Sequence, residues 1–197
     1  MFKDKRLQWA VGISIILAII FAVYSFKEAT NIRQLPMLGQ AGSFVLTEAN
    51  GQPFDSAQLY GKVWIANFFF TTCSDICPMM IKNMSSLSRT FEKVHGVKMV
   101  SFTVNPEIDT PEILAKYSET LNKGKANWFF LTGKREDITQ IVVNQFKLGK
   151  ADEPIFHSPN FALVDRAGFI RGYYDGTNTD EVNQLFKDAS VLLKDRF

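Results

Sequence analysis

The sequence contains few of the side chains that bind soft metal ions. Its 197 residues include two cysteines, Cys73 and Cys77, and two histidines, His95 and His157. A domain of this length buries enough surface to fold without disulfide bridges, so the cysteines are not needed as a structural framework. Two cysteines also leave the coordination sphere of a metal incomplete. Any metal site must therefore recruit a further ligand from elsewhere in the chain.

The chain also lacks a strong net charge, which is +2 overall. Residues 1–33 contain five basic and two acidic residues, whereas the remainder contains 17 basic and 18 acidic residues. The positive excess therefore lies near the N-terminus, and no cluster of Lys and Arg occurs beyond it. We expect no nucleic-acid partner.

A single long apolar run, Trp9–Phe26, contains no charged residue. As a helix it reaches about 27 Å, close to the ~30 Å of a bilayer core. The basic flank MFKDKR predicts that the N-terminus stays in the cytoplasm and that the rest is exported. A cleaved signal peptide is the alternative, although no A-x-A cleavage site follows. We predict a cytoplasmic N-terminus at 1–8, a transmembrane anchor at 9–26, a stalk at 27–40 and a domain at 41–197.

Patterns typical of strands alternate with helical patterns in that domain. Alternation around Asn50-Gly51 predicts a β-hairpin, and the apolar runs 62–70 and 97–104 predict strands that are buried on both faces. Helical spacing follows Pro78 and Pro111, each suited to the first position of a helix. The remaining stretches predict a strand in NWFFLT, a helix that ends at Gly149, a hairpin formed by NFALVD and FIRGYY, and a last helix from near Thr179. The order predicts an α/β domain with a central mixed sheet flanked by helices.

The two cysteines lie in TTCSDICP, residues 71–78. Cys73 falls in a strand-to-helix loop and Cys77 at the helix start, and α/β sheets place binding sites at such carboxyl ends of strands. Thiolates select Cu(I), Zn(II) or iron–sulfur clusters. We expect Cys77, at a helix N-terminus, to ionise more readily than an ordinary thiol. A plain structural disulfide remains an alternative reading of the pair.

The histidines differ in their surroundings. His95 follows a predicted helix, where a cation complements the helix dipole. His157 lies in the loop DEPIFHSPN before a predicted strand, where an imidazole can face the cysteine loop, so its spacing allows a role as third ligand but leaves an ordinary loop histidine as the alternative. Met79 and Met80 are soft donors next to the cysteines, but methionines at the start of an amphipathic helix are expected to belong to the core.

Four stretches resemble the Sco/SenC family of thioredoxin-fold copper proteins. They are ANFFFTTCSDICP, SFTVNPEIDTPEIL, NWFFLTG and HSPNFALVDRAGFIRGYYDG, in this order behind one apolar segment. The resemblance implies a thioredoxin-like fold and copper ligands at Cys73, Cys77 and His157. It further implies a role in building the dinuclear copper centre of cytochrome c oxidase, with the copper-bearing oxidase subunit, a copper donor and a thiol reductant as partners.

The sequence departs from the family pattern around His157 and in the stretch NPEIDTP. Phe156 stands before His157 where family members often have Asp, so any carboxylate that orients the imidazole must come from elsewhere, and Asp152, Glu153 and Asp75 are the candidates. Asn105 and Ile108 replace residues of the more usual DPERDTP. Pro159 lies at the offset at which thioredoxin-like reductases place a cis-proline, which predicts a cis Ser158–Pro159 bond.

Two functions of different classes remain from the sequence. The first is a copper metallochaperone at a bacterial inner membrane with its domain in the periplasm, and not an enzyme that turns over. The second is a thiol-disulfide oxidoreductase that uses Cys73 and Cys77 as a redox pair, although thioredoxins space this pair as C-x-x-C. A peroxidase is a third reading of Thr71-Thr72-Cys73, but no arginine lies near it in sequence.

Overall fold

A computed structural model describes residues 9, 12–21, 35–92, 94, 96–122, 127–149 and 158–194. The chain divides by its contacts into two units, residues 1–34 and 35–197. In the first unit, residues 12–21 form a helix, α1. No helix within these described positions has the length and apolar character that crossing a bilayer requires. The predicted anchor, residues 9–26, includes positions outside the described set.

The second unit is built on one mixed sheet of eight strands among the described residues. Its spatial order is β1-β8-β7-β4-β5-β6-β2-β3, in which β4, β5 and β6 run parallel and all other neighbours are antiparallel. The strands are β1 Gly39–Gln40, β2 Val45–Glu48, β3 Pro53–Asp55, β4 Val63–Phe69, β5 Val97–Thr103, β6 Trp128–Thr132, β7 Asn160–Val164 and β8 Phe169–Asp175.

Four helices connect or follow these strands in the described part of the chain. They are α2 Cys77–Phe91, α3 Pro111–Asn122, α4 Arg135–Thr139 and α5 Thr179–Lys194, and a π-helical stretch, Gln140–Gln145, continues α4. Proline stands in the first turn of α2 and opens α3, where its missing N–H costs no hydrogen bond. A 3-10 turn, Ser56–Leu59, joins β3 to β4.

The core lies on both faces of the sheet. All seven residues of β4 are buried, and their side chains alternate between two clusters. One face carries Val63, Ile65 and Phe69, which pack with side chains of α2 and α5. The opposite face carries Trp64, Ala66 and Phe68, which pack with the hairpin β2–β3 and with residues 138–148. The sequence prediction of a central strand buried on both faces is confirmed.

Most predicted elements lie where the sequence placed them. The β2–β3 hairpin turns at Asn50-Gly51, where Gly51 has φ 79°, a value that favours glycine. One strand was not predicted: β1 lies in the segment assigned to the stalk and pairs with β8. A strand of two residues is too short to show an alternating pattern. The predicted helix to Gly149 is in fact α4 plus the π-helical stretch.

The prediction of a cis Ser158–Pro159 bond is wrong. No peptide bond among the described residues, which include Ser158 and Pro159, is cis. Trans is the favoured isomer of X-Pro bonds, and here the chain enters β7 directly after Pro159 without a tight turn. The Pro159 carbonyl accepts a hydrogen bond from the Gly176 N–H at 2.7 Å. The offset from Gly168 was therefore not sufficient to predict a reductase-like proline.

Candidate metal centre

The thiol site lies at the carboxyl edge of the parallel strands. β4 ends at Phe69, and residues 70–76 form the loop that leads to α2. The Cys73 N–H donates to the Phe70 carbonyl at 3.2 Å, which turns the loop back toward the end of the strand. Cys77 is the first residue of α2. The fold therefore places both cysteines where α/β sheets place binding sites, as the sequence predicted.

The two thiols lie side by side and differ in exposure. Cys77 is 3% exposed and belongs to the core cluster beneath α2, whereas Cys73 is half-buried and packs against that cluster. Neither cysteine forms a disulfide. Their side chains are within hydrogen-bonding reach of each other. The site thus presents one sulfur at the surface with the second directly behind it.

Burial raises the pKa of Cys77 to about 12. The hydrogen bond with Cys73 and the negative charges of Cys73 and Asp75 are smaller causes of this rise, and only a backbone hydrogen bond from Phe70 opposes it. The prediction that Cys77 ionises readily is therefore wrong. The dipole at the start of α2 does not outweigh desolvation, because Pro78 has no N–H, and the Met79 and Met80 N–H groups both donate to the Ile76 carbonyl.

Tyr117 forms one wall of the site. Its ring stacks on Phe69, with ring centres 5.5 Å apart and planes inclined by 23°. Burial, together with the smaller effects of the charges of Cys77, Cys73 and Asp109, raises the pKa of Tyr117 to about 12. The phenol is therefore neutral, close to both sulfurs, and able to donate a hydrogen bond.

Asp109 fixes the loop that carries Cys73. It is fully buried, and its carboxyl group accepts hydrogen bonds from the Thr71 N–H (3.1 Å), the Thr71 hydroxyl and the Thr103 hydroxyl (2.5 Å). It thereby links the end of β5, the segment before α3 and the cysteine loop. Sequence patterns predicted no role for Asp109, although a carboxylate between a strand and a helix that begins with proline was a signal for one.

The substitutions within NPEIDTP leave this arrangement in place. The Asn105 N–H donates to the Thr103 hydroxyl at 3.0 Å, and the Asn105 carbonyl accepts from the Asp109 N–H at 2.9 Å. Asn105 is buried, whereas Ile108 is exposed. The main chain of this segment, rather than the two substituted side chains, therefore positions Asp109.

The candidate third ligand, His157, lies outside the described residues. So do His95, Asp152, Glu153 and Phe156. The next residue after His157, Ser158, is 2% exposed, and its hydroxyl accepts from the Asn160 N–H at 3.2 Å. Because β7 runs antiparallel to β4, it begins at the edge where β4 ends. In the part of the chain that the structure describes, no three His, Cys, Asp or Glu side chains gather as a metal site.

Other side chains next to the thiols include one carboxylate, Asp75, and two methionines, Met79 and Met80. Asp75, between the cysteines, is exposed and acts on Cys77 through its charge. Met80 is fully buried in the core, as predicted. Met79 differs from the prediction because it is 54% exposed: it lies on the outer face of the first turn of α2.

A model of the family described as SCO1/SenC matches residues 35–189. A SCO1/SenC family lipoprotein from Bacillus anthracis is 32% identical, with a TM-score of 0.73 and coverage of 82% of this chain and 99% of that one. BsSco, a member of the Sco family of cytochrome c oxidase assembly proteins with an identified disulfide switch, is 28% identical, with a TM-score of 0.71 and coverage of 82% and 98%. A protein from Stutzerimonas stutzeri, provisionally described as copper-binding, is 31% identical over 157 residues, 74% of each chain.

The family match spans most of the chain, and the matched region contains both thiols, Asp109 and all of β7. The solved relatives share the fold over nearly their whole length. This chain belongs to the SCO1/SenC family.

Proposed function

We propose that this chain is a membrane-anchored copper-binding protein that delivers copper for the dinuclear centre of cytochrome c oxidase. One observation carries the proposal. Two unbridged thiols lie in mutual contact at the carboxyl edge of the sheet, and one of them is accessible from the surface. Two such sulfurs form a soft donor pair that suits Cu(I).

The ligands in this proposal are Cys73, Cys77 and His157. Two thiolates and one imidazole form a small three-coordinate set, and a set carried on loops can release its ion to an acceptor. Support for His157 comes from the resemblance and from its neighbour Ser158, which is buried just before β7. Since Cys77 is protonated at neutral pH, binding of Cu(I) displaces its proton.

Copper loading in this scheme depends on the redox state of the thiols. Oxidation of Cys73 and Cys77 to a disulfide releases two electrons and two protons and removes both sulfur ligands together. A dithiol reductant must return the two electrons and two protons before copper binds. The partners are therefore a thiol reductant, a copper donor and the copper-bearing subunit of the oxidase.

The test measures Cu(I) binding by the reduced full-length chain in competition with a chromophoric Cu(I) chelator. We expect one copper per chain, with affinity reduced more than ~10-fold in His157→Ala, because loss of a residue that only orients a metal ligand already costs about 10- to 100-fold. Cys73→Ser and Cys77→Ser should lose copper more severely. His95→Ala is the matched control and should bind as the parent does. Equal affinity in His157→Ala and the parent would exclude His157 as the third ligand.

A second function, thiol-disulfide oxidoreductase, is favoured by the unequal exposure of the two sulfurs. Cys73 is accessible to a disulfide of another protein, and Cys77 lies behind it in position to resolve the mixed disulfide. The disulfide switch identified in BsSco is consistent with such chemistry in a relative. Turnover of a dithiol substrate separates the functions, because a copper chaperone acts stoichiometrically and an oxidoreductase catalytically.

The proposed location is a bacterial inner membrane, with residues 9–26 as the anchor and the domain in the periplasm. Support comes from the uncharged run and its basic flank. Fractionation of cells that express the full chain tests it: the protein should remain with the inner membrane after an alkaline wash, and protease added to spheroplasts should degrade the domain.

A further inference from the structure

A groove between α2 and α3 leads away from the thiol site. It encloses about 780 Å³, and Cys73 and Thr71 lie at one end, with Arg89 at the other. Ile81 and Leu121 form an apolar floor. A pocket of this volume falls within the range used for ligand binding. Cys73, the more exposed of the two sulfurs, opens directly into this groove.

The charged side chains that line the groove are all positive among the described residues. Lys82 and Arg89 line it, and no carboxylate lines it among the described residues. Both cations lie on α2, two helical turns or about 10 Å apart, and therefore on the same face of the helix. Neither forms an ion pair within the described part of the chain, where Arg89 makes one long bond, 3.3 Å, to the Ser85 hydroxyl. Two exposed cations along an apolar floor favour an anionic occupant.

A further polar group in the groove has no partner in the described residues. The Tyr117 hydroxyl makes no hydrogen bond there, although its ring is held against Phe69. The carboxylates of α3 nearest in sequence, Glu112 and Glu119, are exposed and do not line the groove. The groove therefore combines a fixed donor, two cations and an apolar floor.

The dimensions fit an extended peptide segment. Pro78 and Arg89 both line the groove, and about 16 Å of helix axis separates them. At ~3.3 Å per residue, an extended chain of about five residues spans that length. Acidic side chains two to four residues from a cysteine would reach Lys82 and Arg89 while the cysteine meets Cys73.

We propose that the α2–α3 groove docks an extended acidic segment of the copper acceptor, the segment that flanks the acceptor's own cysteine ligands. This inference rests on the proposed function for the identity of the acceptor. Docking along the groove places incoming sulfurs beside Cys73, where copper can pass by exchange of ligands. The partner is thus recognised by charge and by the position of its sulfur.

The experiment uses short peptides that carry one cysteine as a mixed disulfide with 5-thio-2-nitrobenzoate, followed by glutamates in one peptide and by glutamines in the other. The Cys73 thiolate of the reduced full-length chain attacks the peptide sulfur. The disulfide breaks, and the coloured thionitrobenzoate leaves with the electron pair. The ratio of the two rates reports docking, because the intrinsic reactivity of Cys73 cancels.

We expect the glutamate peptide to react about 10-fold faster at ~0.02 M salt and the ratio to approach one at ~1 M salt, where charges are screened within ~3 Å. Lys82→Glu/Arg89→Glu should bring the ratio to one or below. Lys82→Gln/Arg89→Gln should lower the ratio by a smaller amount. This neutral variant keeps the test valid if the double glutamate variant does not fold. Lys116→Glu/Lys187→Glu makes the same change in net charge at exposed positions outside the groove and should keep the parental ratio.

A parental ratio near one, or an equal loss in the Lys116/Lys187 control, would overturn the docking proposal. Cu(I) binding by each variant is measured in parallel. Normal copper binding with no peptide preference would refute the groove alone. A clear peptide preference in a chain that binds no copper would refute the proposed function and leave a basic groove that docks an acidic segment of a thiol partner.

Discussion

At the scale of single residues, the unequal settings of the two cysteines decide the chemistry. Cys77 is 3% exposed with a pKa of about 12, and Cys73 is half-buried beside it. The buried thiol is therefore protonated at neutral pH and shielded from solvent. Sequence position predicted where both cysteines lie but not this pKa, since the pKa depends on how deeply the start of α2 is buried.

The reduced chain should be alkylated at Cys73 long before Cys77. At pH 8 a thiol with a pKa of about 12 is ionised in about one molecule in ten thousand, and Cys77 is also shielded from the reagent. Peptide mass spectrometry after timed iodoacetamide treatment measures both sites. Denaturant should make the two rates similar. Equal rates in the folded chain would contradict the burial of Cys77.

The raised pKa of Cys77 also makes the stability of the fold depend on pH. The folded pKa of Cys77 lies above the ordinary thiol value of 9.0, so the folded state holds this proton more tightly than the unfolded chain. The corresponding stabilisation is fully present below pH 9 and is lost as the pH rises toward 12.

Asp109 is the second residue on which the site depends. Asp109→Ala leaves the Thr71 N–H and the hydroxyls of Thr71 and Thr103 without their acceptor, so we expect a loss of about 3 kcal/mol in the free energy of unfolding. Urea denaturation measures it. Cu(I) affinity should also fall because the Cys73 loop loses its fixed position. Asp137→Ala is an exposed control and should change the free energy of unfolding by less than ~1 kcal/mol. A similar loss of stability in both variants would contradict the role of Asp109 as a hydrogen-bond acceptor for the cysteine loop.

At the scale of elements, the edge strand β1 is held by one arginine. The Arg171 guanidinium donates to Asp165 at 2.7 Å and to the carbonyl oxygens of Leu35 and Pro36, and Leu35 is buried in the core. Gly39 and Gln40 then pair with Ile170 and Phe169 at the end of the sheet remote from the thiols. Residues 35–40 therefore belong to the folded unit.

Arg171→Ala should release residues 35–40 from the sheet. Asp165 is 5% exposed and would lose its cationic partner, so we expect a loss of about 3 kcal/mol in the free energy of unfolding. Hydrogen exchange should show faster exchange of the Leu38 and Ala41 amides, which donate to carbonyls of β8 and its turn. Arg135→Ala removes the exposed pair with Glu107 and should cost less than ~1 kcal/mol. Unchanged exchange of the Leu38 amide in Arg171→Ala would contradict the proposal that Arg171 holds β1 in the sheet.

Elements with strong local patterns could be predicted from the sequence, and contacts between distant segments could not. The β2–β3 hairpin, β4 and the prolines of α2 and α3 each have a signal within a few residues. Three features join segments that are far apart in the chain. They are the pairing of β1 with β8, the hydrogen bonds of Arg171 to residues 35 and 36, and those of Asp109 to Thr71. Patterns within one segment carry no information about such partners.

At the scale of the whole molecule, strand order creates the site. The parallel strands β4, β5 and β6 end at one edge, which brings together the cysteine loop, Asp109 and the start of α3. The antiparallel β7 starts at that edge and so brings Ser158 there from a distant part of the sequence. The metal site that we propose is therefore a property of the topology, since its sulfurs and its imidazole lie on separate segments.

X-ray absorption at the copper edge tests the proposed ligand set most directly. We expect the reduced full-length chain loaded with one equivalent of Cu(I) to show two sulfur neighbours and one imidazole nitrogen, and His157→Ala to lose the imidazole signal while both sulfurs remain. A spectrum of the parent chain with sulfur neighbours only, unchanged by His157→Ala, would contradict a site built from Cys73, Cys77 and His157.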